Sequence, residues 1–477
     1  MTTTAATGAD SGNTEASEEI GALIRRAREA QAVLETYSQR KVDDVVDAAA
    51  WAIIEPGRAR ELADLAVRDT GLGNADDKFT KNRRKTMGTL RDLQGAPSVG
   101  MIAESPELGI TEYGKPMGVI AAVCPSTNPA ATPANKTLMA LKAGNAIILS
   151  PSPKGASTCR LLVEYIHEQL DKVGAPRDLV QFIEKPSKPL TYELMRQADF
   201  VVVTGSQNNV KAAYSSGTPA IGVGVGNAPV IIDADADLED AARKVVTSKT
   251  FDYATSCSSE NSVHINEQVY DKTLQALEAE GGYLLDAQEK DRLQQAMWQN
   301  GKLSSQVTAQ PPEKIAALAG LDSPRAREAR FFMVEEDGFG AEHPFSGEKL
   351  SLVLTVYRWS DFDQAVDRIQ AILDFQGAGH SCGIHTFDDQ RARLLAERLR
   401  VARVLVNQAH AMGNGGSFDN GLGFTLTMGA GTWAGNSISE NLSFRHFMNV
   451  TRLARVIPPR EPSQQDLFGH FISTYGE

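Results

Sequence analysis

Four short stretches leave this chain little freedom in its choice of fold: "MGVIAAVCP" (117–125), "GNAIILSP" (144–151), "DFVVVTGS" (199–206) and "APVIIDA" (228–234). Each is continuously apolar, rich in valine or isoleucine, and bounded by glycine, proline or asparagine. A run without polar alternation has no face to give to water, so both faces must be covered. Between and after them, 131–142 and 156–173 carry helical patterns. Runs apolar on both faces that alternate with helices predict a parallel sheet with crossover helices. The fold class is therefore α/β, doubly wound.

The alternation restarts after Asp235, with a helix through Lys249, a strand at 262–266, a helix at 268–280 and the strand "LSLVLTVY" (350–357). Helices at 361–374 and 388–399 and the strand "RVLVN" (403–407) complete it. A second α/β domain is expected, since 477 residues exceed what one hydrophobic core sustains. The expected organisation is a mobile polar leader over 1–17, a first domain over 18–230, a second over 231–437, and a terminal segment over 438–477. Helical spacing of Ile20, Leu23, Ile24 and Ala27, then Val42, Val45, Val46 and Ala49, opens the first domain with long amphipathic helices. The polar stretch 281–345 reads as excursions and loops. "LGITEYG" (108–114) and "NVTRLARVI" (449–457) are expected to pair as an arm.

Several classes are excluded. No apolar run approaches the ~18 residues of a membrane helix, and "MTTTAATGADSGNTEASEE" lacks the cationic and apolar halves of a secretory signal, so the cytoplasm is the expected compartment. Forty-eight basic against 60 acidic side chains give a net charge of −12, with no basic block to track phosphates, so no nucleic-acid partner is expected. The four cysteines (124, 159, 257 and 382) lie far apart, as reduced thiols do, and no spacing suggests a metal site.

Ligands in open α/β sheets bind beyond the carboxyl ends of strands. Three such ends converge here: "CPSTNP" with Asn128, "LSPSPKG" with Ser150 and Lys154, and "VVVTGS" with Thr204, Gly205 and Ser206. Together they favour a nucleotide. The run "IGVGVGNAP" (221–229) is neither a G-x-G-x-x-G fingerprint nor a P-loop, and reads as a glycine-rich strand approached closely by backbone or a flat ligand. His380 and Cys382 would share a strand face while His385 points away, so His380 reads as a hydrogen-bonded loop residue. Cys257 sits in the collar "KTFDYATSCSSENS" (249–262), where packing alone is the default role of a thiol.

Read in order, "PSTNP" (125–129), "TGS" (204–206), "GVGVGNAPVIIDADAD" (222–237), "SKTFDYATSCSSENSV" (248–263), "GEKLSLVL" (347–354) and "GAGTWAGNSISEN" (429–441) resemble the aldehyde dehydrogenase superfamily, and within it the CoA-acylating branch. The resemblance covers about 115 to 455. It implies a cofactor domain, a catalytic domain and a small oligomerisation arm, here 438–477 with 105–115, in a homodimer or homotetramer. It also implies that Cys257 is the nucleophile and that Asn128, with the Cys257 backbone N–H, stabilises the oxyanion. Thr204, Gly205 and Ser206 match the pyrophosphate turn, Ser150, Pro151 and Lys154 the adenosine ribose segment, and Glu348 the nicotinamide ribose carboxylate. Thr127 and Gly224 complete the implied cofactor contacts.

The implied chemistry is thiolate addition to an aldehyde, hydride loss to NAD or NADP, and transfer of the resulting thioester to coenzyme A. Hydrolytic members carry a glutamate base at the glycine-rich strand, whereas "PAIGVGVGNAP" (219–229) has no acid. Thiolysis by coenzyme A is therefore expected over hydrolysis, with Glu260 as the alternative base. "SPSPKG" lacks the acid that selects NAD, and Lys154 permits NADP. The segments 407–424 and 443–449 resemble acylating enzymes that act on sulfoacetaldehyde, with Arg445, His446 and the backbone of 413–416 as candidate holders of the anion. Acetaldehyde and succinate semialdehyde are the alternative substrates. A non-redox CoA acyltransferase and a catalytically silent nucleotide-binding scaffold are the readings from other classes.

Overall fold

The computed structural model describes residues 7–476. Four helices come first: α1 (Thr7–Leu34), α2 (Gln39–Ile54), α3 (Pro56–Thr70) and α4 (Ala75–Leu93). Their apolar positions, Ile20, Ile24 and Ala27 on α1 and Val42, Val45 and Val46 on α2, are buried as the spacing predicts. α1 begins at Thr7 and Ala16 packs into the first core, so the expected leader is helical from residue 7; its residues 1–6 lie outside the described ones.

β1 (Gly100–Ser105) and β2 (Ile110–Pro116) form a hairpin. Then follow β3 (Val119–Val123), α5 (Ala131–Lys142), β4 (Ala146–Ser150), α6 (Ala156–Lys172) and β5 (Val180–Phe182). α7 (Lys188–Gln197), β6 (Phe200–Thr204), α8 (Gln207–Tyr214) and β7 (Ala220–Val223) complete the first unit. The five strands pair in parallel in the order β5-β4-β3-β6-β7. Every residue of β3 and β4 is buried, as runs without polar alternation require. The strand order reverses between β3 and β6, which opens a crevice where their carboxyl ends diverge.

The second sheet starts six residues further on, with β8 (Pro229–Ile232), α9 (Leu238–Thr250), β9 (Ser262–Asn266) and β10 (Gly282–Leu284). A two-residue pair, β11 (Trp298–Gln299) and β12 (Lys302–Leu303), precedes β13 (Phe331–Glu335), β14 (Val353–Trp359), β15 (Cys382–His385) and β16 (Val404–Val406). Seven strands run parallel in the order β10-β13-β14-β9-β8-β15-β16. Residues 281–345 are thus not loops. They supply two strands of the sheet, and a helix at Ala287–Met297 that Asp286 and Glu289 cap reciprocally. Phe331, Phe332 and Met333 of β13 are wholly buried, the reverse of an excursion.

β17 (Met448–Ala454) pairs antiparallel with β2, from Met448 opposite Pro116 to Ala454 opposite Ile110, so the arm forms as expected. Just before it, Leu442, Phe444 and Phe447 pack into the core of the first sheet, where Asn145 Nδ2 donates to the Phe447 carbonyl at 2.8 Å. The chain end is therefore fastened to the first unit although it follows the second. Among the described residues no helix is long and apolar enough to cross a membrane.

Because Phe332 lies between two strands with no exposed surface, Phe332→Ala should cost about 3–5 kcal/mol. Equilibrium denaturant unfolding measures it; a loss under about 1 kcal/mol would mean that β13 is peripheral to the second core.

Candidate active site

The crevice beyond β3 and β6 is one continuous groove. Its outer part, about 380 Å³, is lined by Pro151 and Ser152 after β4 and by the Thr204–Ser206 turn after β6. Its inner part, about 300 Å³, shares Pro125 and the same turn, and ends at Asn128, Cys257 and Glu348. The turn is free to approach a ligand because Gly205 has φ +159° and nothing within 4 Å of where a Cβ would stand. Ser206 caps α8 through its hydroxyl, which accepts from the Asn209 N–H at 3.4 Å, and leaves the helix N-terminus facing the groove. An extended groove that passes a glycine turn at a helix start fits a dinucleotide.

Thr127, Asn128, Thr204, Gly205, Ser206, Gly224, Cys257 and Glu348 all line the inner part, and Ser150 and Pro151 the outer. The Ser150 hydroxyl is buried and shared with that of Thr191 at 2.8 Å. Lys154 is exposed on the turn Pro153–Gly155 and does not line the groove. The cation that does is Lys188, at the start of α7 on the opposite wall, and no carboxylate lines this outer part. Reading one strand end at a time hid it, since Lys188 follows a different strand, β5.

At the inner end, backbone hydrogen bonds from Ser258 to the Ser256 hydroxyl and from Ser259 to the Ser256 carbonyl fold residues 256–259 into a turn that presents Cys257. The glycine-rich segment passes behind it. A Cβ on Gly226 would stand 2.9 Å from the His380 ring and 3.0 Å from the Cys257 Cβ, so glycine is required there by contact. The Gly226 N–H donates to Glu348 Oε1 at 3.3 Å. Glu348 is held in turn by its neighbour Lys349, whose buried ammonium donates to the carbonyls of Phe345 (2.6 Å) and Asn261 (3.1 Å). Burial pushes the Glu348 carboxyl up to about 8.

Asn128 is oriented by charge. Lys81 Nζ donates to Asn128 Oδ1 at 2.9 Å, which sets the amide so that Nδ2 remains for the cleft. Lys81 also bonds Thr255 Oγ1 and, with Lys78, the buried carboxylate of Asp252. His380 is the hydrogen-bonded loop residue expected, but one that meets the thiol: its Nε2 lies 3.3 Å from the Cys257 sulfur and its Nδ1 2.7 Å from the Ser381 hydroxyl. The loop before β15 carries it there, a convergence with Cys257 across 123 residues that local strand geometry does not show. Burial, then Arg403 and His410, hold His380 well below the ordinary imidazole value, so it is neutral at pH 7. Burial and the Glu348 carboxylate push the Cys257 thiol up to about 12.

Three further expectations are corrected. Glu260 is wholly buried, accepts the His410 N–H at 2.9 Å and lines neither part of the groove. Arg445 and His446 lie on the turn leading to β17, where His446 Nε2 meets Glu440 at 2.9 Å, and neither lines the groove. The backbone of 413–416 offers oxygens rather than donors, since the Gly415 and Gly416 carbonyls accept from Lys85 Nζ at 2.8 and 3.2 Å. Among the described residues no group of three or more His, Cys, Asp or Glu is placed to hold a metal ion.

Two doubly wound sheets whose shared cleft carries a dinucleotide-shaped groove ending on a cysteine define a class of nucleotide-dependent thiol proteins. The chain belongs to the aldehyde dehydrogenase family, whose profile, "Aldehyde dehydrogenase family", matches residues 5–289. It is 54% identical over 97% of its length to a sulfoacetaldehyde dehydrogenase (acylating) of Cupriavidus necator, of which 94% is covered. It is 36% identical over 94% of its length to a succinate-semialdehyde dehydrogenase (acetylating) of Clostridium kluyveri, of which 99% is covered. Among solved structures, an acetylating aldehyde dehydrogenase of Geobacillus thermoglucosidasius superposes with TM-score 0.91 at 34% identity, covering 94% of this chain and 99% of that one. A propionaldehyde dehydrogenase of Rhodopseudomonas palustris with bound CoA and an acylated cysteine gives TM-score 0.81 at 25% identity, over 91% and 97%.

The raised thiol makes a direct expectation. Cys124, Cys159 and Cys382 are buried, so iodoacetamide added to the ligand-free protein reports on Cys257. Its labelling rate should still climb about tenfold per pH unit between about pH 7 and 10, because only the thiolate reacts. A plateau below about pH 8 would mean that the thiolate is already formed.

Proposed function

We propose that the chain is a CoA-acylating aldehyde dehydrogenase that oxidises sulfoacetaldehyde to sulfoacetyl-CoA with a nicotinamide cofactor, through a thioester on Cys257. The observation that carries this is the meeting of Cys257, the fixed Asn128 amide and Glu348 in the inner part of the groove, with glycines where a water-activating acid would stand. The name of the Cupriavidus relative supports the substrate, and the anionic aldehyde of the Clostridium relative is the second choice.

The residues divide the work as follows. Thr127, Thr204, Gly205, Ser206 and Gly224 would hold the dinucleotide along the groove they line, Ser150 and Pro151 its adenosine end, and Glu348 the nicotinamide ribose. The Cys257 thiol passes its proton to His380 Nε2 as sulfur bonds to the aldehyde carbon. Asn128 Nδ2 and the Cys257 backbone N–H receive the developing alkoxide. A nicotinamide bound in the groove supplies the hydride acceptor. Collapse of the alkoxide leaves a thioester on Cys257, and the thiol of coenzyme A attacks its carbonyl. The C–S bond to Cys257 breaks, the sulfur recovers its proton from His380, and the proton lost by the coenzyme A thiol leaves to solvent, one per turnover. No carboxylate at Gly222–Gly226 activates water against the thioester, so the acyl group waits for the thiol.

Residues 18–230 are assigned to cofactor binding and 231–437 to catalysis, with the boundary moved ahead of β8 (Pro229–Ile232) because that strand belongs to the second sheet, and 438–477 with 105–115 to self-association as a homodimer or homotetramer. The exposed β17 and the exposed Leu467, Phe468 and Phe471 of the last helix support that assignment. Four unpaired cysteines suit the cytoplasm.

Formation of reduced nicotinamide, followed by absorbance, should require enzyme, cofactor, sulfoacetaldehyde and coenzyme A together. Sustained turnover without coenzyme A would restore hydrolysis, and no signal with any aldehyde would favour the scaffold. Cys257→Ser should abolish turnover but retain nucleotide, while Asn128→Ala should lower kcat about 10²–10³-fold. With Lys188 facing a groove wall that has no carboxylate, NADP is the preferred cofactor. Lys188→Ala should weaken NADP about tenfold in a titration and NAD by less than about twofold; equal losses would show that Lys188 reads no phosphate.

A further inference from the structure

Beside the thiol lies a second, smaller recess, about 40 Å³, that shares Asn128, Ser256 and Leu426 with the groove but none of the Thr204–Ser206 turn. It therefore opens where the far end of an aldehyde points once its carbonyl lies between Cys257 and Asn128. Three cations of α4 line it, Lys81, Arg84 and Lys85, and no carboxylate does. Its volume holds about three waters, the size of a small tetrahedral anion.

A count of donors separates the three. Lys81 has three N–H donors, and all are used, on Asn128, Asp252 and Thr255. Lys85 spends two on the Gly415 and Gly416 carbonyls and keeps one. Arg84 donates through Nη2 to the Ser417 hydroxyl at 2.8 Å, while its Nε is sealed from solvent without a partner. Among the described residues neither Arg84 nor Lys85 forms an ion pair; the exposed Asp419 reaches Arg84 only through the Ser417 hydroxyl. Both cations are braced by rings, Arg84 over Phe418 at 5.2 Å and Lys85 over Phe424 at 5.4 Å. Burial, then the like charges of Arg84 and Lys81, pull the Lys85 ammonium down to about 7, the mark of positive charge that lacks a counter-ion.

Resting on the aldehyde reading above, we infer that Arg84 and Lys85 bind the distal anionic group of the substrate in this recess, with Lys81 as the positioning residue that ties the anion subsite to Asn128. The shared chemistry is a short aldehyde ending in an oxyanion group. A two-carbon sulfonate places its sulfur two bonds from the aldehyde carbon, and a four-carbon acid places its carboxylate carbon three bonds away.

The test compares kcat/KM for sulfoacetaldehyde, succinate semialdehyde and propionaldehyde in the wild-type enzyme and in Arg84→Gln, Lys85→Gln and Arg84→Lys. The ratio of sulfoacetaldehyde to propionaldehyde should fall about 10- to 100-fold in each glutamine variant, through KM, and recover most of that loss in Arg84→Lys. Calorimetric binding of 2-hydroxyethanesulfonate should weaken in parallel, which reads the subsite even in a variant that turns over poorly. An unchanged ratio, or sulfonate binding that ignores both substitutions, overturns the inference while leaving the enzyme's class intact. A wild-type enzyme that oxidises propionaldehyde and rejects both anionic aldehydes overturns the anionic-substrate reading and this inference together. Preference for succinate semialdehyde that is lost in the glutamine variants keeps the subsite and assigns it to a carboxylate.

Discussion

The cleft depends on one buried carboxylate, that of Asp252. It opens a run of three left-handed residues, Asp252, Tyr253 and Ala254, with φ of 51°, 51° and 59°. None is glycine, so the run costs roughly 1–3 kcal/mol per residue. The carboxylate offsets that strain by gathering Lys78, Lys81, the Thr255 hydroxyl and the Asn74 N–H, while its own backbone N–H donates to Asp77 at 2.7 Å. Parting a buried pair of this kind costs about 3–5 kcal/mol, the same order as the strain. Burial alone would raise the Asp252 pKa, but Lys81 and Lys78 hold it below its ordinary value. Its contribution is thus present above the unfolded carboxylate's value of about 4 and is lost as pH falls through the lower folded one. Thr255 and Cys257 follow within five residues, and Lys81 reaches Asn128. One ionic cluster therefore places both the thiol and the amide.

The same dry environment decides the thiol's resting state. A Cys257 pKa near 12 beside an imidazole held far below its usual value leaves the proton on sulfur until a substrate gives the thiolate something to bond. A protonated thiol resists oxidation, which suits the nucleophilic role proposed for Cys257 in the groove. Glu348 belongs to this balance, because its carboxyl, raised to about 8, is largely uncharged at neutral pH and so repels the nascent thiolate less than an ordinary glutamate would.

What was legible in the sequence follows from how local its cause is. β3, β4, β6 and β8 announced themselves because burial on both faces leaves no polar alternation, and Cys257, Asn128 and Glu348 because motifs in order carried them. β13 stayed hidden: "FFMVE" is short and sits in polar surroundings, and its neighbours β10 and β14 are 47 and 18 residues away at their nearest described register partners Leu284 and Val353, counted from Phe331 and Glu335. His380 and Lys188 needed the third dimension, since each meets the cleft from a strand remote in sequence. The cations of α4 did leave a trace. Lys78, Lys81 and Lys85 recur at spacings of three and four, so they share a helix face. A cationic stripe on a helix normally means solvation, and only the buried packing of α4 against the catalytic turn reverses that reading.

That reversal also reconciles an acidic protein with the anionic substrate proposed for it. With a net charge of −12, the surface does nothing to draw an anion in, but its field fades over a Debye length of about 8 Å in physiological salt. Inside the recess a cation 4 Å from an anion is worth about 4 kcal/mol against about 1 kcal/mol in bulk water. Two near charges therefore outweigh many remote ones. On the reading proposed above, selectivity arises from what a neutral aldehyde leaves undone: with no anion in the recess, the Arg84 guanidinium and the spare Lys85 donor lack a counter-ion, which a charged substrate would supply. A site built to hydrogen-bond a group discriminates most strongly against ligands that lack it, and so the specificity proposed for this cleft would rest on donors already held in place before the substrate arrives.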